Sequence, residues 1–305
     1  MNSILKGAKL ASQPGGRPPS AVEITPEGVL AAALAQAGQP PVYAFEPLPA
    51  GTVVPGIEEP NLRAPDVVAA AIRSALGKVS PRGRAVTLVL PDLLVRVFVL
   101  DFDSLPGKPA EAIPVLRFRL RKMVPFDAEH AGVSYQVLAQ SKSECRVLTA
   151  VMPGPVLEEY EAAVRAAGYE PGAVLPSSLA ALEMAESMEA VLAANLNRVG
   201  ITTLIANGQD LLLYRTLDLP DDPAERIAEI QRNIAVAAAY YEDKLGARPL
   251  RLHYAGNRET AEFASWINDP ELTVVELTPR PESGAVTSLG HESVAAVAGA
   301  LVGAS

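Results

Sequence analysis

The sequence predicts an α/β protein of two related lobes facing each other across a cleft. Three observations carry this expectation. The segment Ala21 to Pro49 (AVEITPEGVLAAALAQAGQPPVYAFEPLP) is echoed by Thr202 to Leu217 (TTLIANGQDLLLYRTL). Each has an apolar strand, a tight turn containing glycine, a second apolar strand and, further on, an amphipathic helix. Between and after the echoes, strand-like and helix-like periods follow one another. Finally, 305 residues of which 49% are hydrophobic suffice for two cores in domains of roughly 100 to 200 residues.

Taken in order, the stretch through Pro19, rich in Gly, Pro and Ser, reads as an arm or a strap over the first strand. After the first echo, Val67, Val68, Ile72, Ala75 and Leu76 recur at helical spacing, with Pro65 and Asp66 suited to the helix start and Gly77 near its end. Ser80-Pro81-Arg82-Gly83 is a turn into strand Ala85 to Leu90, and Leu93 to Phe102 alternates as a strand should. Pro109 to Met123 reads as a helix ended by Val124-Pro125-Phe126, and Gly132 to Leu138 and Cys145 to Val151 as paired strands. Pro155 to Ala167 is an amphipathic helix stopped by Gly168, and Leu179 to Leu192 another.

The second lobe opens near Leu196 with a hairpin whose Asn207-Gly208 turn is a strong local signal. Asp222-Pro223-Ala224-Glu225 supplies a cap, a proline at the first helical position and a glutamate three residues after the cap. Ile227, Ile230, Ile234, Ala238, Tyr241 and Leu245 then line one helical face until Gly246. A strand from Leu250 to Tyr254 runs into Ala255-Gly256-Asn257, followed by a helix through Trp266, a strand from Leu272 to Leu277 and an Ala-rich closing helix from Val294 to Val302. The domain reading is an arm over 1–19, lobe I over 20–84 and 153–194, an inserted subdomain over 85–152, and lobe II over 195–305.

A net charge of −9 and a pI near 5.0 argue against nucleic acid, whose phosphates require a basic face, and favour protein partners. The most apolar stretch, Val86 to Phe102, is broken by Pro91, Asp92 and Arg96, short of the ~20 apolar residues of a membrane helix. Met1 to Gly16 lacks the apolar core of a secretory signal, so the sequence reads as cytoplasmic. The lone Cys145 fits a reducing compartment and reads as a small buried hydrophobe.

In two-lobed folds of this kind the hairpin turns hold nucleotide phosphates, a task for glycines and small hydroxyl residues whose backbone N–H groups reach the anion. The turn Ile24-Thr25-Pro26-Glu27-Gly28 offers instead a proline without an N–H and a glutamate that repels phosphate. No Gly-x-Ser-x-Gly elbow, P-loop, Gly-x-Gly-x-x-Gly or His-Glu-x-x-His occurs. His130, His253 and His291 lack ligand spacing, and Asp101 and Asp103 sit beside a strand-end turn rather than in an acid/base pair. No metal site is expected. Arg117, Arg119, Arg121 and Lys122 crowd one helix, interleaved with Leu116, Phe118 and Leu120. Such a face can meet an acidic partner, an anionic lipid surface or only water.

Three stretches resemble the PilM-type pilus assembly proteins, relatives of the cell-division protein FtsA. They are Glu111 to Leu138 with Val124-Pro125-Phe126 and Val133-Ser134-Tyr135-Gln136-Val137-Leu138; Thr202-Thr203-Leu204 with Asn207-Gly208 and Leu213-Tyr214-Arg215; and Glu229-Ile230-Gln231-Arg232-Asn233 with Tyr240-Tyr241 and Ala255-Gly256-Asn257. The resemblance runs over about residues 20–302. It implies an actin-like (ribonuclease H-like) α/β fold with an inserted small subdomain in lobe I. The same outline fits the cytoplasmic domain of type II secretion platform proteins.

Where that family carries an Asp-Ile-Gly-Ser loop, this chain has Glu23-Ile24-Thr25-Pro26, and Asn195 to Gly200 stands where Asp-x-Gly is expected. The closing Gly-Gly pair is Gly256-Asn257, and only a short turn separates Arg215 from the helix near Asp222, where a lid subdomain is usual. The nucleotide loops at Thr25, Gly28, Gly200, Thr202 and Gly256 are therefore expected to be degenerate and to hold no cofactor. The resemblance implies a non-catalytic scaffold, peripheral to the inner membrane, that grips the cytoplasmic tail of a PilN-like partner in a groove walled by the Pro109 to Met123 helix. Arg117, Phe118, Arg119 and Arg121 are the candidate contacts. The alternatives are an ATP-Mg-binding switch, reportable by Trp266 if that residue lies near the Gly256 loop, and a filament-forming protein. A weak homodimer stays open.

Overall fold

A computed structural model describes residues 16–35, 39–58, 60–141, 143–185, 190–208, 210–278, 286–287 and 292–304. In chain order the first lobe opens with β1 (Ser20–Ile24), β2 (Gly28–Ala33), β3 (Val42–Pro47), α1 (Pro65–Val79) and β4 (Ala85–Leu90). After a single 3₁₀ turn, Asp92–Leu94, come β5 (Arg96–Phe102), α2 (Pro109–Leu120), β6 (Gly132–Gln140) and β7 (Cys145–Met152). The chain continues through α3 (Gly154–Ala166), β8 (Glu170–Pro176) and α4 (Ser177–Leu182). Then follow β9 (Val191–Leu196), β10 (Gly200–Asn207), β11 (Asp210–Asp218), α5 (Pro223–Leu245), β12 (Arg251–Gly256), α6 (Thr260–Trp266) and β13 (Thr273–Glu276). The described chain closes with β14 (Val286–Thr287) and α7 (Ala295–Ala300).

These strands form three sheets, and the two larger ones share one topology. The first has the order β14-β3-β2-β1-β4-β8 and the second β11-β10-β9-β12-β13. In each, three strands run as an antiparallel meander, the first of them pairs in parallel with a fourth, and the fourth with a fifth. The sheet order matches β1-β2-β3 to β9-β10-β11. The echo read from sequence is therefore one strand out of step, because it aligned the first hairpin with β10 and β11. The counterpart of the β1–β2 turn is the β9–β10 turn, and Asn207-Gly208 lies at the opposite end of its sheet.

Every residue of β1 and β2 is buried, as runs such as GVLAAA require when both faces of a sheet are covered. On this sheet α1 packs with α3, and α4 packs with α7. Gly299 makes the second pairing possible: a side chain there would run into the Ala180 carbonyl oxygen. Arg17 crosses the same region, donating to the Gly299 carbonyl at 3.0 Å and to Glu183 at 3.4 Å. The rest of the arm, 1–15, lies outside the described residues.

The second sheet carries α5, whose start and stop are where the local signals put them. Asp222 accepts hydrogen bonds from the amides of Ala224 (3.0 Å) and Glu225 (2.9 Å), and Gly246 ends the helix at φ 70°. In the inserted module β5, β7 and β6 form an antiparallel sheet covered by α2, with Leu100, Leu116, Leu120, Cys145 and Val147 in its core. Cys145 is thus a buried hydrophobe, as expected. Only residues 219–222 separate β11 from α5, so no lid subdomain stands there.

Four boundaries read from sequence need correction. Residues 85–90, assigned to the insert, are β4, in the middle of the first sheet; a strand this apolar needs neighbours on both sides and has β1 and β8. The helix read over 179–192 stops at Leu182, and Val191 and Leu192 instead begin β9 of the second sheet, so that lobe starts before residue 195. The closing segment assigned to lobe II returns to lobe I, where β14 pairs with β3 and α7 packs on β1, β2 and β4. The basic helix ends at Leu120 rather than Met123.

Candidate functional site

The two sheets point the C-terminal ends of β1, β4, β9 and β12 at one cleft. Its walls are Glu23, Thr25 and Glu27 from the β1 edge, Pro91 after β4, Ser177 at the start of α4, and Asn195 and Asn197 from the β9 edge. Gly256 and Asn257 after β12, with Glu292 and Ser293 before α7, complete it. Three lining side chains are carboxylic acids and none is lysine or arginine. Carboxylic acids in this position do not favour the approach of a nucleotide triphosphate, whose own charge is negative.

The base of the cleft is a hydrogen-bonded network that spans both lobes. Buried Asp92 accepts from the Ser178 amide at 2.9 Å, from the Ser178 hydroxyl, and from the Tyr214 hydroxyl of β11 at 2.8 Å. Asn195 of β9 donates to Ser177 Oγ at 2.9 Å, and Ser177 in turn donates to Glu23 Oε1 at 2.7 Å. Burial, with help from Asp92, Glu292 and Glu27, pushes the Glu23 carboxyl up to about 8 against the opposing bond from Ser177. Glu23 therefore holds its proton at neutral pH. Burial and the neighbouring Asp92 carboxylate likewise keep the Tyr214 phenol protonated, well above its ordinary range.

The rim is set by the two matched turns. In the first, the Thr25 amide donates to the Gly28 carbonyl at 2.9 Å and the Gly28 amide donates to Thr25 Oγ1 at 3.2 Å. Pro26 has no N–H to offer. In the second turn three successive amides are all engaged. Val199 and Gly200 donate to Asn197 Oδ1 at 2.9 and 2.8 Å, and Arg198 donates to Glu27 Oε1 of the other lobe at 2.9 Å. Amides of this kind would cradle a phosphate if they were free. In this arrangement none of the three is left for a phosphate.

The five loop residues singled out from sequence divide. Thr25 and Gly256 line the cleft. Gly28 is held by sterics, since a Cβ there would strike the Glu46 carbonyl oxygen of β3, and Gly200 lies against Leu93, 3.1 Å from a would-be Cβ. Thr202 is buried in β10 and bonded to Thr216 at 2.9 Å, away from the lining. Trp266 is displaced from the expected place: its ring packs edge-on against Phe263, which stacks on Tyr254, and it does not line the cleft. Asp92, Ser177 and Ser178 were missed. Their signal was slight, a Pro-Asp directly after an apolar strand and a Pro-Ser-Ser at a strand-to-helix join.

Elsewhere, Asp101 is ion-paired with Arg146 at 2.9 Å on the surface, and His130 is bonded to Asp127 at 2.6 Å. His253 is half-buried on β12 with its pKa lowered by burial and by Arg251, and His291 lies outside the described residues. Among the described residues no group of His, Cys, Asp and Glu is placed to hold a metal, and no helix is long and apolar enough to cross a membrane.

The candidate contacts on α2 also separate. Arg117 is half-buried and donates to the Ala131 carbonyl at 2.9 Å, which makes it a brace of the insert. Phe118 is 72% exposed, and Val115 and Met123 are exposed beside Arg119, Arg121 and Lys122. A solvent-facing phenylalanine among cations is a surface feature with binding capacity.

No protein-family model and no curated protein matches the sequence. Among solved structures, the PilM-PilN type IV pilus biogenesis complex is similar at 18% identity, over 94% of this chain and 98% of that one, with a TM-score of 0.69. The cytoplasmic domain of EpsL, an inner-membrane component of the type II secretion system of Vibrio cholerae, is similar at 14% identity over 87% and 90%, with a TM-score of 0.50. The ethanolamine utilization protein EutJ from Carboxydothermus hydrogenoformans matches over 99% and 94% at 10% identity and the same TM-score. The chain has the actin-like fold.

Proposed function

We propose that the protein is a non-catalytic scaffold on the cytoplasmic side of a type IV pilus assembly platform, gripping the cytoplasmic tail of a PilN-like inner-membrane partner. The observation that carries the reading is the β9–β10 turn, whose three amides are all spent on the protein's own Asn197 and Glu27. A cleft so engaged, and lined by carboxylic acids, supports a pseudo-ATPase with no nucleotide and no metal. The PilM-like fold, whose solved relative is a complex with PilN, supports the choice of partner. The exposed Phe118 with Arg119 and Arg121 supplies a face for an extended tail with acidic and apolar residues. The likeness to the EpsL domain favours a second reading, the same scaffold in a type II secretion platform.

Affinity capture from detergent-solubilised membranes tests both. Recovery of a single-span protein with a short cytoplasmic tail is the expected result, and its other partners distinguish pilus from secretion platform. Recovery of no membrane protein at good yield overturns the scaffold reading.

A further inference from the structure

We propose that Glu27 is a built-in anion: its carboxylate takes the donors that face the cleft from lobe II and so ties the two lobes together without a small-molecule ligand. The inference deepens the reading of the cleft as one that binds no nucleotide, and it rests on that reading. One oxygen, Oε1, collects two hydrogen bonds from two separate loops of the opposite lobe. The Arg198 amide after β9 donates at 2.9 Å and the Asn257 side-chain amide after β12 donates at 2.8 Å. A carboxylate held by two N–H donors forms charge-assisted bonds, stronger than their neutral counterparts. The other oxygen, Oε2, is buried and has no partner among the described residues, so the side chain is positioned by Oε1 alone.

The residues around Glu27 fix its aim. The Thr25–Gly28 bonds close the turn, and Gly28 admits only hydrogen as a side chain because the β3 backbone lies against it. Leu48 reinforces this by donating its amide to the Glu27 carbonyl at 3.0 Å. On the receiving side Asn197 engages the two neighbouring amides and leaves that of Arg198 for the carboxylate. Glu27 is the rim member of a set of ties whose base members are Ser177 with Asn195 and Asp92 with Tyr214. A ligand seeking the Arg198 amide must first displace a tethered competitor whose effective concentration is high. The lobes consequently keep one arrangement whether nucleotide is present or absent.

Residue-resolved amide hydrogen exchange on the full chain tests the tie, comparing wild type with Glu27→Ala and Asn257→Asp; the second variant sets a like charge against Glu27. Both are expected to speed exchange of the Arg198 amide by about tenfold or more while leaving Val199 and Gly200, bonded to Asn197, unchanged. Glu27→Gln keeps an acceptor oxygen and is expected to fall between. An Arg198 amide that exchanges at the wild-type rate in both variants overturns the tie. Calorimetric titration of the same wild-type sample with Mg-ATP separates the two failures. A flat trace beside an unchanged Arg198 amide sinks the tie alone, whereas saturable heat sinks the reading of the cleft beneath it.

Discussion

The β1–β2 and β9–β10 turns are the same element in two copies of one topology, and they spend their hydrogen-bonding groups in opposite ways. The first is poor in donors, with Pro26 lacking an N–H and Thr25 closing its own turn, and it presents a carboxylate. The second keeps three amides in a row but engages two of them with its own Asn197. The third meets the carboxylate of the first turn. The two turns thus match in topology and differ in chemistry. The two turns bond to each other, through the Arg198 amide and the Glu27 carboxylate, across the gap between the lobes.

The largest expected effect strikes the lobe I side, at Glu23. In the folded protein its carboxyl keeps its proton up to about pH 8, whereas unfolded it releases it near 4.5, so folded stability falls as pH rises from about 4.5 to 8 and levels off above. At about 1.4 kcal/mol per pH unit, Glu23→Gln should match wild type near pH 5 and exceed it by roughly 3–5 kcal/mol at pH 8. Denaturant unfolding across that range checks it. Parallel pH profiles for the two proteins would mean that Glu23 is ionised in the cleft.

A smaller effect belongs to the lobe II side. Asn197→Ala strips the acceptor from the Val199 and Gly200 amides and should cost about 1–2 kcal/mol, with no new pH dependence. If it costs nothing, water serves those amides equally well and the second turn is less committed than the geometry implies. The smallest stability effect is expected outside the cleft. Phe118→Ser with Arg119→Glu should shift folding by less than about 0.5 kcal/mol, since both side chains are exposed. The same pair should weaken capture of the membrane partner about tenfold or more, whereas unaltered capture would remove α2 from the interface. Arg117→Glu is the wrong probe, because it would break the bond to Ala131 and unsettle the insert.

What was legible in the sequence follows from the range of the forces involved. Helix α5 could be read to within a residue at each end because Asp222, Pro223 and Gly246 act within one turn of the chain. The α/β class was legible from periodicity, and the insert from the family resemblance of Glu111 to Leu138. The lobe correspondence slipped by one strand because a hairpin looks alike wherever it lies in a sheet, and only pairing with β4 or β12 shows which strand comes first. Glu27 was legible as hostile to phosphate, yet its donors lie 171 and 230 residues away. Asp92 read only as an interruption of an apolar run, since its partners Ser178 and Tyr214 are 86 and 122 residues off. The closing helix was legible as a packing element from its alanines and glycine, but its return to lobe I was not, for nothing local in AAVAGA names its neighbour α4.

The claim on which the account turns is that the cleft is filled by the protein's own bonds and takes no nucleotide. Isothermal titration of the wild-type chain with Mg-ATP to millimolar concentration tests it most directly. The account predicts heats of dilution only, whereas a saturable isotherm with a stoichiometry near one would contradict it and make the protein a nucleotide-binding switch.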